Sequence, residues 1–373
     1  MAEDRFRSGV QSRRRDGASD ASDGAEALSA SQRVGPLIEI PGLLRELGAD
    51  PADVVDAAGL DTIVLDSPES RIPYSAVGRL LHECAVKTGC QHFALLLGQR
   101  IRVAHVGLPG QLMQHSPTLG TALRTFVEYH HLNTQGMVKF LLEKDGVATF
   151  GCVIHQPGTE HVEQIYDLEV TATLGIMREL CGASWVPERV LFSHAKPANL
   201  APYRRFFQTE CRFDSERTAL LFPAALLELR LPKADPKRIR DLQREAQARD
   251  DFGLVFRLKR SLRTLLLSQA ASCDEVAKQL SMHRRTMERR LKSEGTTFQE
   301  VLDEVRSEAA CQLLDTTGIP ITEIAASLGY AETSAFTRAF RRWSGAAPLE
   351  RRRRSQVVPS AKARSSDGIR TTS

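Results

Sequence analysis

The chain repeats itself near its C-terminus, and the repeat leaves few folds open. Val276-Ala277 and Leu280 return as Ile324-Ala325 and Leu328, an offset of 48 residues. After a one-residue slip the offset is 49, and Met287, Arg289 and Leu291 return as Phe336, Arg338 and Phe340. Each copy meets the requirements of a helix-turn-helix. The small Ala277 or Ala325 lets a second helix cross closely over the first, and Leu280 or Leu328 closes the contact between them. In the second helix Met287/Leu291, or Phe336/Phe340, recur at i and i+4 and make one buried stripe. The remaining faces carry Arg284, Arg285, Glu288, Arg289 and Lys292 in the first copy, and Thr333, Ser334, Thr337, Arg338 and Arg341 in the second. Such a helix fits the major groove of DNA, where arginine pairs with guanine O6 and N7 and Glu288 could accept from cytosine. A generic bundle with basic outer faces accounts for one copy but not for two.

Between the copies, Thr297-Phe298-Gln299-Glu300 is a capping box that opens a helix through about Asp315. At 1.5 Å per residue this helix is roughly 28 Å long. A strut of that length sets two recognition helices near one DNA turn apart, about 34 Å. Ser272 and Glu275 form a second capping box at the start of the first unit. Breaks at Gly295, Gly318-Ile319-Pro320 and Gly345 divide residues 254–345 into about five to seven helices. Charge follows the same boundary. Residues 254–354 hold eighteen Lys and Arg against twelve Asp and Glu, whereas residues 1–253 carry a net −4 in a chain of +4 overall. The basic surplus lies where counterion release from a polyanion would assist binding.

The segments Ile324-Ala325-Ala326-Ser327-Leu328-Gly329-Tyr330 and Ser334-Ala335-Phe336-Thr337-Arg338-Ala339-Phe340-Arg341-Arg342-Trp343-Ser344-Gly345-Ala346-Ala347-Pro348 closely resemble the signature of the AraC family of bacterial regulators. The resemblance covers residues 254–354. It implies groove-facing positions at His283, Arg285, Glu288 and Arg289 in the first unit, and at Thr333, Ser334, Thr337 and Arg338 in the second. Arg289 and Arg338, at equivalent positions, are expected to read bases. The first unit departs from the second at its turn, with Ser281 in place of Gly329. The implied partners are double-stranded promoter or operator DNA, RNA polymerase for an activator, and a second copy of the chain in a homodimer.

Residues 36–235 mix helical and strand periodicities. Leu43, Leu44 and Leu47, then Val77, Leu80, Leu81 and Cys84, then Leu119, Leu123, Phe126 and Val127 mark helical faces. Residues 138–142 and 147–154 read as two strands joined by a turn over Glu143-Lys144-Asp145-Gly146, helical spacing returns over 162–180, and a strand follows at 190–194. The expected fold is therefore an α+β domain followed by an all-α domain of two helix-turn-helix units joined by a linker helix. Arg71-Ile72-Pro73-Tyr74, Leu96-Leu97-Gly98, Ser116–Leu123, Trp185-Val186-Pro187 and Leu231–Asp235 resemble the sensor domain of a subgroup of AraC-type regulators. That resemblance implies a domain that senses an unknown small-molecule effector or dimerises. The helical spacing argues against a simple jelly-roll barrel.

The remaining segments are a disordered leader over 1–35, a linker over 236–253 and a disordered tail over 355–373. The leader has no apolar stretch of a secretory signal, and no apolar run is long enough to cross a bilayer. Seven scattered cysteines without a C-x-x-C pair read as reduced, mostly buried thiols in a cytoplasmic protein, with no metal site and no cofactor. An enzyme is not expected. His130, His131, His155 and His161 lack H-E-x-x-H spacing, no G-x-S-x-G elbow occurs, and no cysteine precedes a histidine as in the alkyl-accepting repair methyltransferases. Each histidine reads as a surface or satisfied core residue. The run Arg351–Arg354 reads equally as a phosphate-contacting arm or a solvated tail.

Overall fold

A computed structural model describes residues 30–354. The expected leader and tail lie outside those residues except for 30–35, which the structure corrects. Ser31–Arg33 form strand β1, paired antiparallel with β2 (Arg71–Pro73). Arg33 is buried, bonded twice to Glu69 (2.6 and 3.1 Å) and once to the His105 carbonyl. Ser-Gln-Arg carries no strand-like alternation, so only the tertiary pairing places it.

Four helices follow: α1 (Ile40–Glu46), α2 (Pro51–Ala57), α3 (Tyr74–Thr88) and α4 (Phe93–Arg100). Next come α5 (Leu108–His115) and α6 (Leu119–Tyr129). The sheet is built from β3 (Met137–Lys144), β4 (Val147–Ile154), β5 (Arg189–Leu191), β6 (Glu210–Arg212) and β7 (Thr218–Pro223), in the order β3-β4-β7-β5-β6. All its pairs are antiparallel except β5 with β6. The β3–β4 connection is two residues, Asp145-Gly146, both with positive φ (51° and 79°), as a tight hairpin requires. The strand expected at 190–194 is shorter and lies at Arg189–Leu191.

Helix α7 (Val162–Cys181) runs through two apolar cores. Its first half packs Ile165 and Leu168 among α1–α4, and its second half packs Leu174 and Met177 against the sheet and α6. Contact with α4 is close: a Cβ on Gly98 would lie 2.6 Å from the Thr171 Cβ, so only glycine fits. Lys139 on the same sheet face is buried and paired with Glu169 of α7 at 2.8 Å. After α8 (Ala201–Phe207), residues 236–249 form α9 (Pro236–Arg249) and so correct the expected linker. Ile239, Leu242 and Ala246 fall on one helical face and pack against α5 and Tyr129. This helix is part of the first domain's surface rather than a tether.

The all-α region holds α10 (Leu254–Leu267), α11 (Cys273–Gln279), α12 (Arg284–Ser293), α13 (Phe298–Thr316), α14 (Ile321–Ser327) and α15 (Thr333–Ser344), with residues 348–354 again helical. Fold class follows expectation: a sheet-containing domain, then two helix-turn-helix units.

Candidate nucleic-acid interface

The two units are α11–α12 and α14–α15, and the strut between them is α13. Thr297 and Glu300 cap it reciprocally, as its sequence requires. Ser272 caps α11 by accepting from the Glu275 N–H, without the return bond of a full box. Val301, Leu302 and Val305 from the first half of the strut join the core of Leu258, Leu262, Met287 and Leu291. Ala310 and Leu314 from its second half join the core of Ile324, Leu328, Phe336 and Phe340. One rigid helix is thus a structural member of both units. Lys259 pairs with Glu304 and Arg263 with Glu308 on the first side, and Arg342 pairs with Asp303 on the second.

The one-residue slip in the repeat has a local cause. Four residues separate α11 from α12, and five separate α14 from α15. The extra residue lengthens the turn and leaves both buried stripes in phase. At that turn Arg306, from the strut, donates to the Leu328 carbonyl (3.1 Å) and stacks over Tyr330 (4.9 Å). Nothing in the repeat pattern signals Arg306, because its role depends on the strut lying beside the second turn.

The expected contact residues divide by what holds them. His283, at the N-cap of α12, and Arg285, Glu288 and Arg289 are exposed. On α15 Ser334 and Arg338 are exposed, while Thr333 and Thr337 are half-buried and the Thr337 hydroxyl donates to the Thr333 carbonyl at 2.9 Å. Arg284 binds Glu288 at 2.9 Å, and that hydrogen bond holds the Glu288 carboxyl below the usual range. By contrast Arg285, Arg289 and Arg338 have no ion pair among the described residues. Neither α12 nor α15 has a side-chain cap at its N-terminus, so those backbone N–H groups remain open to an anion. In the Arg351–Arg354 run, Arg351 is bound to Asp315 at 2.6 Å and Arg354 to Glu350.

Comparison with known proteins agrees with this arrangement at both ends of the chain. Residues 48–231 match the family described as the arabinose-binding domain of AraC transcription regulators, and residues 276–354 match a helix-turn-helix domain family. The chain is 31% identical to the ornithine utilization regulator of Pseudomonas aeruginosa, over 83% of its own length and 93% of that protein's. The chain belongs to the AraC family of transcription regulators. Another AraC-type relative, the transcriptional regulator VirS of Mycobacterium tuberculosis, is 28% identical over the same shares. The crystal structure of CdpR from Pseudomonas aeruginosa aligns at 22% identity with a TM-score of 0.41, covering 86% of this chain and 98% of that one. Its relatives are regulators of transcription, not enzymes. No described helix is long and apolar enough to cross a membrane.

In this AraC-family chain the histidines have distinct environments. His161 stacks on His82 at 3.7 Å, and His194 is bonded to the buried Asp167 at 3.2 Å. His131 does more, because it joins the two domains. Its Nε2 lies 2.9 Å from the Asp250 carboxylate, and its Nδ1 lies 2.6 Å from the Arg260 guanidinium of α10 and 3.1 Å from the Glu128 carbonyl, with Phe252 edge-on to the ring. Burial lowers its pKa, Arg260 adds to that, and the Asp250 hydrogen bond opposes both, so the ring is neutral in this node. The cysteines are all free thiols, Cys84 and Cys152 buried and the other five half-buried, so fewer are buried than expected.

Proposed function

We propose that one chain reads two successive major-groove segments, with Arg289 and Arg338 as its base-reading cations. His283, Arg285, Glu288, Thr333, Ser334 and Thr337 complete the two contact faces. The observation that carries this reading is the strut α13, whose two halves are built into the cores of both units. A helix so anchored presents α12 and α15 at a fixed separation. The unpaired arginines and the open helix N-termini support it further, the first for bases and the second for phosphates. Glu288 has to release Arg284, and Thr337 its own helix, before either reaches a base. The arginines therefore make the first specific contacts.

The same reading gives residues 36–235 an effector-sensing and dimerising role. In this reading the chain acts in the cytoplasm, and it meets RNA polymerase where it works as an activator. A relative named for ornithine utilization supports control by a metabolite. Replacing Arg289 or Arg338 by Ala should cost about 1–3 kcal/mol at an operator selected from a random DNA library, and relax preference at one base position. Equal weakening on every sequence would reassign that arginine to phosphate.

A further inference from the structure

The sheet and Tyr166 of α7 meet the DNA-binding domain across a cavity of about 130 Å³. Val138 and Val153 line it from the sheet, Leu266 from α10, Val305 and Ala309 from the strut, and Leu328 from the end of α14. Apolar cavities of about 150 Å³ stay dry and take benzene-sized guests. Polar side chains line it as well. Among them are His155, nine-tenths buried, and Arg263. Arg263 spends one nitrogen on Glu308 (2.7 Å), and its buried Nε has no acceptor. Burial, with the charges of Arg263 and Lys259, keeps the His155 ring neutral. Glu216 and Arg217 also line the cavity but are paired with each other at 2.9 Å, so it is the Arg263 Nε without an acceptor that calls for an oxygen.

We propose that this seam is the effector site, and that it takes a compact, benzene-sized apolar molecule whose carboxylate or carbonyl oxygen lies against His155 and Arg263. The proposal rests on the effector reading above and supplies its location and chemistry. A molecule there touches the sensor sheet, the first unit's leading helix, the strut and the second unit's scaffold helix together. It favours the arrangement in which these four surfaces close on it, and shifts DNA binding by its differential affinity for that arrangement.

The test uses the full chain with phenylacetate, acetophenone and phenethylamine, followed by ligand-observed NMR and by DNA binding. Phenylacetate and acetophenone should bind with dissociation constants of about 1 mM or tighter, and phenethylamine at least about tenfold more weakly. Phenylacetate should also change operator affinity. Ala309→Trp fills the cavity and should abolish binding of both oxygen-bearing probes. His155→Phe, which leaves the walls intact and serves if the tryptophan variant misfolds, should remove the preference for phenylacetate over phenethylamine. The proposal is overturned if no probe binds, if phenethylamine binds equally well, or if both variants bind like the natural chain. A different small molecule that alters DNA binding equally in the natural chain and in Ala309→Trp would leave effector control standing and remove it from the seam.

Discussion

Ser281 and Gly329 hold the same place in the two turns, and both have left-handed backbone, with φ of 53° and 79°. Glycine adopts that conformation freely, whereas an L side chain there costs about 1–2 kcal/mol. Ser281→Gly should therefore stabilise the chain by about 0.5–1 kcal/mol in urea denaturation, the gain being trimmed by the more flexible unfolded chain. Gly329→Ala should destabilise it by about 1 kcal/mol or more, since the new Cβ also comes within 3.4 Å of the Arg306 guanidinium. A neutral result at both positions would mean that the turns relax when substituted. The serine-for-glycine exchange was legible in the sequence as a departure between the copies. Its backbone consequence was not, because φ is set by the packing of α11 on α12.

The strut is where the elements acquire a joint function. Arg306→Met removes the hydrogen bond to the Leu328 carbonyl and the stacking on Tyr330 while keeping an unbranched apolar stem. The loss should be about 1.5–3 kcal/mol of stability, as for other hydrogen bonds to charged groups. Amide hydrogen exchange should speed up in residues 321–344 and not in 273–293; equal loosening of both would make Arg306 a general core residue. The repeat, the strut's capping box and the β3–β4 hairpin were readable because each depends on short-range periodicity or on turn chemistry. The docking of helix α9 on α5 was not readable, since Ile239, Leu242 and Ala246 make a sparse stripe in a highly charged segment. Strand β1 and the pairing of His131 with Asp250 and Arg260 were hidden for a related reason. Their partners lie far away in sequence, and no periodicity marks them.

In the whole molecule the two domains meet through the His131 node, and the buried histidines give that packing a pH dependence. Burial holds His130, His131 and His155 below the usual imidazole pKa, His130 and His155 well below it. The unfolded chain binds protons at these groups near pH 6.5 and the folded chain does not, so their stability is full above that pH and lost as it falls. His194 acts in the opposite sense. Burial opposes its charge, but the Asp167 hydrogen bond and charge outweigh burial and raise its pKa, so its contribution is lost as pH rises. Three groups outnumber one, and thermal stability should drop between pH 6.5 and 5.5. The slope for each unprotonated buried histidine is about 1.4 kcal/mol per pH unit. A flat profile across that range would show that these rings take up protons without opening the fold. The rigid coupling of the two DNA-reading units is tested most directly by operator spacing. The measurement is the affinity of the full chain for its operator before and after five base pairs are inserted between the two half-contacts, which turns one groove by about half a turn. The strut cannot follow that rotation, so affinity should fall to the level of a single unit. Unchanged affinity, or a footprint confined to one groove segment, would contradict reading by both units of one chain.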